Sequence, residues 1–454
     1  MRMIRLFRMA LGLVFMATTL PVGLAAQTSS ADTDRKIADL EKQLEEVRAE
    51  LDAMKPKPAA AAVPAAAVVA TPAPATEPPD PLAGITGVLG GVTLSGLADV
   101  YYGYNANHPS AGTYTEPFTN RVDRFGLNLF EVQLDKPVDK STPLGFRLAL
   151  GFGDTMNAIN GTSNTAGDGT NSATQYMKEG YLSYFAPVGK GLQLDFGKFV
   201  TSAGAEVIET NQNWNYTRGL LFYYAIPYYH FGVRAKYIFN EKWSITGFAT
   251  NGWNNVVATN SGKTGGLSLA WNATKKVTLT ETYLVGPRDL AGIGDNGSWN
   301  NLSDTVLAYT PTAKLSLQAV LDYDHQGIDN QLAAALGTSK TGTDYTGAGV
   351  FVKYAFNPKV AVAGRYEYLN DHDGLAFFAG GAPAPALHNH PQEFTATLER
   401  KFAGHLTSRL EYRHDESNRN IFENGGGKGT PSFVSNQDTV AAGLVFVLEP
   451  DAPK

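Results

Sequence analysis

The chain has 454 residues, of which 43% are hydrophobic and only 18% charged, with 47 glycines, 21 tyrosines and 23 phenylalanines. That balance fits a turn-rich, aromatic β-protein better than several water-soluble domains. The formal charge of −6 becomes more negative once three leader arginines are discounted, which argues against a nucleic-acid partner. Cysteine is absent, as is common in proteins that cross an oxidising periplasm unfolded, although many other bacterial proteins share the trait.

Residues 1–25 have the parts of a secretory signal peptide: Arg2, Arg5 and Arg8, the apolar run Met9–Leu20, then Pro21 and the small-residue site Gly23-Leu24-Ala25. Cleavage is expected after Ala25 or Ala26. The apolar core is short for an uncleaved membrane anchor. The tract Ala59–Ala75 is interrupted by Pro64, Pro72 and Pro74 and cannot be a membrane helix.

Within residues 31–55, Ile37, Leu40, Leu44, Val47, Leu51 and Met54 trace a heptad seam flanked by Glu41, Lys42, Glu45, Glu46 and Arg48. Two readings stay open: a short periplasmic coiled coil joining protomers, and a solvated amphipathic helix. An isolated helix of this length is marginal, so self-association would help it form. Residues 56–91 are a Pro/Ala-rich linker, with prolines at 56, 58, 64, 72, 74, 78, 79 and 81, and favour an extended spacer.

Residues 92–448 change character. Segments near 93–105, 124–136, 144–153, 175–186, 191–200, 228–239, 242–253, 265–272, 276–286, 303–310, 314–324, 347–356, 359–369, 392–402, 405–414 and 437–448 alternate apolar and polar side chains. In Phe146-Arg147-Leu148-Ala149-Leu150-Gly151-Phe152 the even positions are greasy and the odd ones small or charged. A tilted strand needs about 9–11 residues to cross a bilayer, close to these lengths. Connections alternate: tight ones such as Asn240-Glu241 and Asn357-Pro358, then mostly long ones such as 106–123, 154–174 and 201–227. One-sided long loops belong to bacterial outer-membrane barrels, whereas a soluble β-sandwich uses shorter strands. The expected fold is all-β: a 16-stranded antiparallel transmembrane β-barrel behind a short N-terminal coiled-coil helix, with residues 449–454 as a tail.

Sixteen strands enclose water, so the polar parity must face the lumen and the greasy parity lipid. The inward set includes Glu131, Gln133, Arg147, Asp195, Arg234, Lys236, Asp322, Arg365, Glu367, Glu399, Arg409, Glu411 and Arg413. An Arg or Lys facing lipid at the midplane costs about 2–4 kcal/mol, which sends such residues to water. Their mixed signs suit small hydrophilic solutes with modest ion selectivity, although lumen charges that pair would simply stiffen the wall. Aromatics fall near strand ends, Trp243, Trp271 and Phe356 towards the short turns and Tyr102, Trp253 and Tyr412 towards the long loops.

The connection 201–227 is the longest and too apolar for a solvated tip, so it is expected to fold against the barrel interior. Its stretches Gly204-Ala205-Glu206-Val207-Ile208-Glu209, Asn213-Trp214-Asn215-Tyr216-Thr217-Arg218-Gly219-Leu220-Leu221-Phe222 and Ala225-Ile226-Pro227-Tyr228-Tyr229-His230 resemble the putative β-barrel porin-2 (OmpL-like) family. Asn120-Arg121-Val122-Asp123-Arg124 and Leu129-Phe130-Glu131-Val132-Gln133-Leu134 are similar too, and the resemblance covers about 92–448. It implies an outer-membrane porin. By analogy with 16-stranded porins, whose third external loop folds into the channel, it implies an eyelet carrying Glu206, Glu209 and Arg218. The last strand departs from the common pattern of a terminal aromatic: Phe446 is followed by Val447-Leu448-Glu449.

No G-x-S-x-G or H-E-x-x-H occurs, and Ser261-Gly262-Lys263-Thr264 lacks the first glycine of a phosphate-binding loop, where Val257 stands. His388 and His390 close a metal site poorly, and Asp371-His372-Asp373-Gly374 and Asp322-Tyr323-Asp324 read as ordinary turns before calcium loops. The expectation is a non-enzymatic porin without cofactor or metal, in the outer membrane of a Gram-negative-type bacterium with its N-terminal segment in the periplasm. Its partners would be outer-membrane lipid, small hydrophilic solutes and copies of itself, as a trimer. The alternatives are a substrate-selective channel, with Trp214, Tyr216, Tyr223 and Tyr224 stacking on sugars, or a structural barrel contacting the cell wall through residues 31–55.

Overall fold

A computed structural model describes residues 90–448 apart from 111, 114, 162–172, 259–260, 289–297, 337–338, 375, 377–388, 403–404 and 426–431. The expected signal peptide, heptad helix, C-terminal tail and all of the linker before residue 90 lie outside the described residues.

Period-two alternation produces the expected wall. Strands β1 (Thr93–Asn105), β2 (Arg124–Lys136), β3 (Leu144–Phe152), β4 (Met177–Ala186), β5 (Leu192–Val200), β6 (Tyr229–Ile238), β7 (Trp243–Thr250) and β8 (Thr264–Thr274) follow one another. The second half comprises β9 (Val277–Pro287), β10 (Trp299–Tyr309), β11 (Leu315–Gly327), β12 (Gly342–Asn357), β13 (Val360–Asn370), β14 (Gln392–Lys401), β15 (Leu406–Glu416) and β16 (Asn436–Leu448). Each strand pairs antiparallel with its sequence neighbours, and β1 pairs with β16 from Gly96↔Leu448 to Asn105↔Thr439, so the sheet closes into a barrel with no free edge. Closure satisfies the backbone groups that lipid could not.

The two faces separate by chemistry. Phe125, Leu182, Phe196, Leu321, Val350 and Phe394 are exposed outward, whereas the alternate positions hold most of the wall's ionisable side chains. Towards the short turns the Trp243 and Trp271 rings, on directly paired residues, stack at 5.4 Å, as an interfacial girdle requires.

The loops are more structured than the sequence suggested. They contain helices α1 (Asp154–Gly161), α2 (Leu220–Tyr224) and α3 (Asn330–Leu336), and a two-stranded ribbon joins Phe422–Asn424 to Ser432–Val434. Elements this short carry too little periodicity to stand out. Strand β12 also starts at Gly342 rather than near 347, because above the lipid band both faces are polar and the alternation fades.

The lipid-facing assignment is testable at Leu321 and Gln318 on β11. Leu321→Arg should lower folding free energy in vesicles by about 2–4 kcal/mol, read from urea titrations, while the inward Gln318→Arg should change it little.

Candidate pore constriction

Strands β13 to β15 carry a lattice of inward charges and hydroxyls. Direct pairs across these strands include Arg365↔Thr395, Glu367↔Glu393, Thr397↔Glu411 and Glu399↔Arg409. Arg365 Nε donates to Glu393 at 2.6 Å and Arg409 Nε to Glu399 at 3.0 Å, while Arg413 Nη2 donates to Asp415 at 2.6 Å.

This lattice receives the third long loop, L3 (residues 201–228). Thr201 N donates to Tyr228 O at 3.0 Å and closes the loop at its base. L3 is braced internally by Asn213, whose side chain exchanges hydrogen bonds with Val207 N and O, and by Glu206, which accepts Gly219 N at 2.6 Å. Arg218 donates to the carbonyls of Tyr216 and Ile208 and lies over the Phe118 ring. An irregular loop in a barrel lumen has no ladder partners, so its backbone polar groups must be met by side chains or water.

The wall meets many of them. Arg409 donates to the carbonyls of Thr210 (2.6 Å), Asn213 (2.7 Å) and Asn215 (3.1 Å). Arg413 reaches Arg218 O at 2.7 Å and Arg365 reaches Thr217 O at 2.6 Å. In the opposite sense Glu411 accepts the amides of Tyr216 and Thr217, and Glu367 accepts Leu221 N at 3.0 Å. Across the lumen Tyr216 Oη donates to Asp99 on β1 at 2.7 Å, and Gly204 N donates to Asp304 on β10 at 2.9 Å. L3 is thus tethered to β1, β10, β13 and β15.

Helix α2 supplies the apolar share. Its Leu220, Leu221, Phe222, Tyr223 and Tyr224 are all buried, and Phe118 of the first external loop, L1 (residues 106–123), packs edge-on against Phe222 and Tyr223. Gly443 on β16 makes room for Tyr216, since a Cβ there would lie 2.2 Å from the ring. Tyr216, Tyr223 and Tyr224 are therefore packed in the core, a correction to their expected availability for stacking on sugars.

The three expected eyelet residues all lie in L3: the two glutamates are met by basic side chains, and Arg218 is taken up by backbone carbonyls, rather than being turned to water. Glu206 pairs with Arg365 at 2.7 Å, Glu209 pairs with Lys178, which also holds Glu131 at 2.6 Å, and Arg218 is fully buried. Of the expected lining, Glu131, Asp195, Asp322, Arg365, Glu367, Glu399, Arg409, Glu411 and Arg413 are buried, many of them beneath the loops. Arg147 keeps 28% exposure and Arg234 17%, while Gln133 is half-buried and Lys236 exposed. These four sit on β2, β3 and β6 towards the short turns, where the lumen wall is less covered.

Sequence reasoning missed Asp99, Lys178 and Glu116. Asp99 follows the inward parity of Leu97 and Tyr101, so alternation could have found it. Lys178 could not be found that way. A register shift between Ala149 and Leu150 opposite β4 places Lys178 and Glu179 both in the interior. Among the described residues no group of three or more His, Asp or Glu side chains is placed to hold a metal ion.

A closed sixteen-stranded barrel with an internally tethered third loop is the architecture of an outer-membrane porin. The chain belongs to the family described as putative beta-barrel porin-2, OmpL-like, whose model matches residues 91–448. Among solved structures, the anion-selective porin from Comamonas acidovorans superimposes with a TM-score of 0.53 at 10% identity, covering 79% of this chain and 99% of that one. The Vibrio cholerae outer membrane protein OmpT gives 0.48 at 12% identity over 78% and 97% of the two chains. The outer membrane channel DcaP of Acinetobacter baumannii gives 0.47 at 13% over 78% and 97%. At these identities the likeness is one of fold. No curated protein is significantly similar in sequence.

L1 docks beside the lattice through Glu116, which accepts from Thr439 Oγ1 at 2.7 Å and lies 3.9 Å from Arg413. Burial pushes the Glu116 carboxyl up to about 7, with Arg413 opposing and Asp415 and Glu411 reinforcing the shift. A carboxyl raised above its free value favours the docked loop at low pH, and that contribution is lost as pH rises through about 7. Trypsin cleavage at Arg121 should accelerate from about pH 6 to about pH 8 relative to a Glu116→Gln variant assayed in parallel. A constant ratio between the two would refute the linkage.

Proposed function

We propose that this porin supports passive diffusion of small hydrophilic solutes and ions across the outer membrane, with L3 as its constriction. The observation that supports this reading is the tethering of L3 inside the barrel, while Gln133, Arg147, Arg234 and Lys236 keep access to space on the short-turn side. Side chains of both signs at a narrow point filter by size first and by charge second. In this reading the catalytic role is nil, and Glu206, Glu209 and Arg218 shape the eyelet by fixing the course of the loop. The dense filling around L3 favours a narrow channel over a wide one.

Single-channel recording in planar bilayers tests the constriction. Deleting Glu206–Arg218 should raise unit conductance several-fold, with the barrel still folding as a heat-modifiable band. Unchanged conductance in the folded deletion variant would sink the assignment.

In this reading residues 31–55 lie in the periplasm, on the side of the short turns, where the heptad seam joins protomers, most simply as a trimer. Removing 31–55 should shift the detergent-solubilised protein towards smaller species in sedimentation. Identical oligomers with and without the segment would rule out that role and leave the solvated-helix or cell-wall reading.

A further inference from the structure

The lumen is not electrostatically uniform. On β13 to β15 and on β2 to β6, carboxylates meet guanidinium or ammonium groups: Glu399 has Arg409 and Lys353, Asp415 has Arg413, Glu131 has Lys178, Glu179 has Arg147 and Asp195 has Arg234. The wall of β10 and β11 differs. Asp304 and Asp322 are directly paired across these strands, both buried, and neither forms an ion pair with a basic side chain among the described residues.

Their hydrogen bonding is equally sparse. Asp304 Oδ1 accepts Gly204 N, but among the described residues Asp304 Oδ2 and both oxygens of Asp322 receive no hydrogen bond from an amide, hydroxyl or amine, and the two carboxyls otherwise have only each other. Asp322 is only 3% exposed and lines a small cavity with Gly204, Glu206, Leu221, Phe351 and Glu367. The cavity has room for about one water-sized particle. Glycines Gly347 and Gly349 of β12 lie beside it, Gly347 within 3.5 Å of the Asp322 side chain measured from an added Cβ.

Counting charge decides what belongs there. Glu206 and Glu393 are met by Arg365, and Arg413 lies 3.7 Å from Glu393, whereas among the described residues no basic side chain pairs with Asp304 or Asp322. Unpaired buried carboxylates are strongly disfavoured unless a counter-charge joins them. A proton shared between Asp304 and Asp322 would neutralise one carboxylate and leave the other charged. A cation of calcium or sodium dimensions fits the space, prefers oxygen ligands and can complete its shell with water.

We propose that Asp304 and Asp322 form a lumenal binding site for a single inorganic cation, beneath the start of L3. With two carboxylates as its protein ligands the site is weak, as a step on a conduction path needs to be. Its occupancy also fixes L3, because the same Asp304 holds Gly204 N. The inference deepens the diffusion-pore reading by giving it a cation preference, and it rests on that reading only for the consequence on permeation.

Two measurements on the refolded full chain separate the claims. Calorimetric titration with calcium chloride should show about one weak site per chain, with a Kd of about 10⁻⁴–10⁻³ M, weakened at least tenfold in Asp322→Asn and in Asp304→Asn. Asp139→Asn, on an exposed turn, should bind like the parent. Reversal potentials in a potassium chloride gradient should show cation preference that falls several-fold in the same two variants. Absence of calcium binding in the parent, or binding unchanged by both substitutions, would overturn the site even if the channel conducts. Binding lost on substitution in a protein that never conducts would uphold the site and remove the pore reading instead. Asp304→Asn and Asp322→Asn are alternatives to each other, so a folding failure in one leaves the other decisive.

Discussion

The structure depends on wall side chains supplying hydrogen bonds to a loop whose only regular elements are two short helical turns and whose remaining backbone has no ladder partner. Arg409, Arg413 and Arg365 donate to L3 carbonyls, and Glu411 and Glu367 accept its amides. Each of these side chains projects from a regular strand whose position is set by ladder hydrogen bonds, so an irregular segment is located by a rigid one. A charged donor or acceptor makes a shorter and stronger bond than a neutral one, and here it acts where bulk water is largely displaced. Pairing Arg365 and Arg409 with carboxylates on the neighbouring strand, and Arg413 with Asp415 on its own, offsets their charge and helps fix the guanidinium planes. The same arrangement explains why the inward charges are so deeply buried: they are contacts of the loop as much as lining of a channel.

Strand positions were legible in the chain because lipid outside and water inside enforce a strict two-residue period. The assignment of Arg365, Arg409, Glu411 and Arg413 to the interior follows from parity alone. What they touch does not. Arg409 and Asn213 are separated by 196 residues in sequence, and no local pattern encodes that meeting. Lys178 marks a second limit, since the register shift opposite β4 breaks the parity on which such reasoning rests. The buried state of Arg218 marks a third. In a solvated loop an arginine reads as a filter charge, but in a loop pressed into a lumen its five donors are worth more to its own backbone, at Tyr216 and Ile208.

L3 divides its attachments by chemistry. One flank, from Thr210 to Leu221, is gripped by both basic and acidic groups on β13 to β15, and α2 then seals the contact with aromatic area against Phe118. Its first residues rest on the acidic wall of β10 and β11 through one amide, Gly204 N to Asp304. In the first kind of attachment the three arginines carry carboxylate partners. In the second, Asp304 and Asp322 have no basic partner among the described residues. If that pair binds a cation as proposed, a loop fixed at one edge by arginines and held at the other through two carboxylates would answer to the ionic content of the lumen while the barrel stays unchanged. The asymmetry follows from which inward positions carry arginine and which do not, so under that proposal the sequence of β10 and β11, more than that of L3, would set the loop's response.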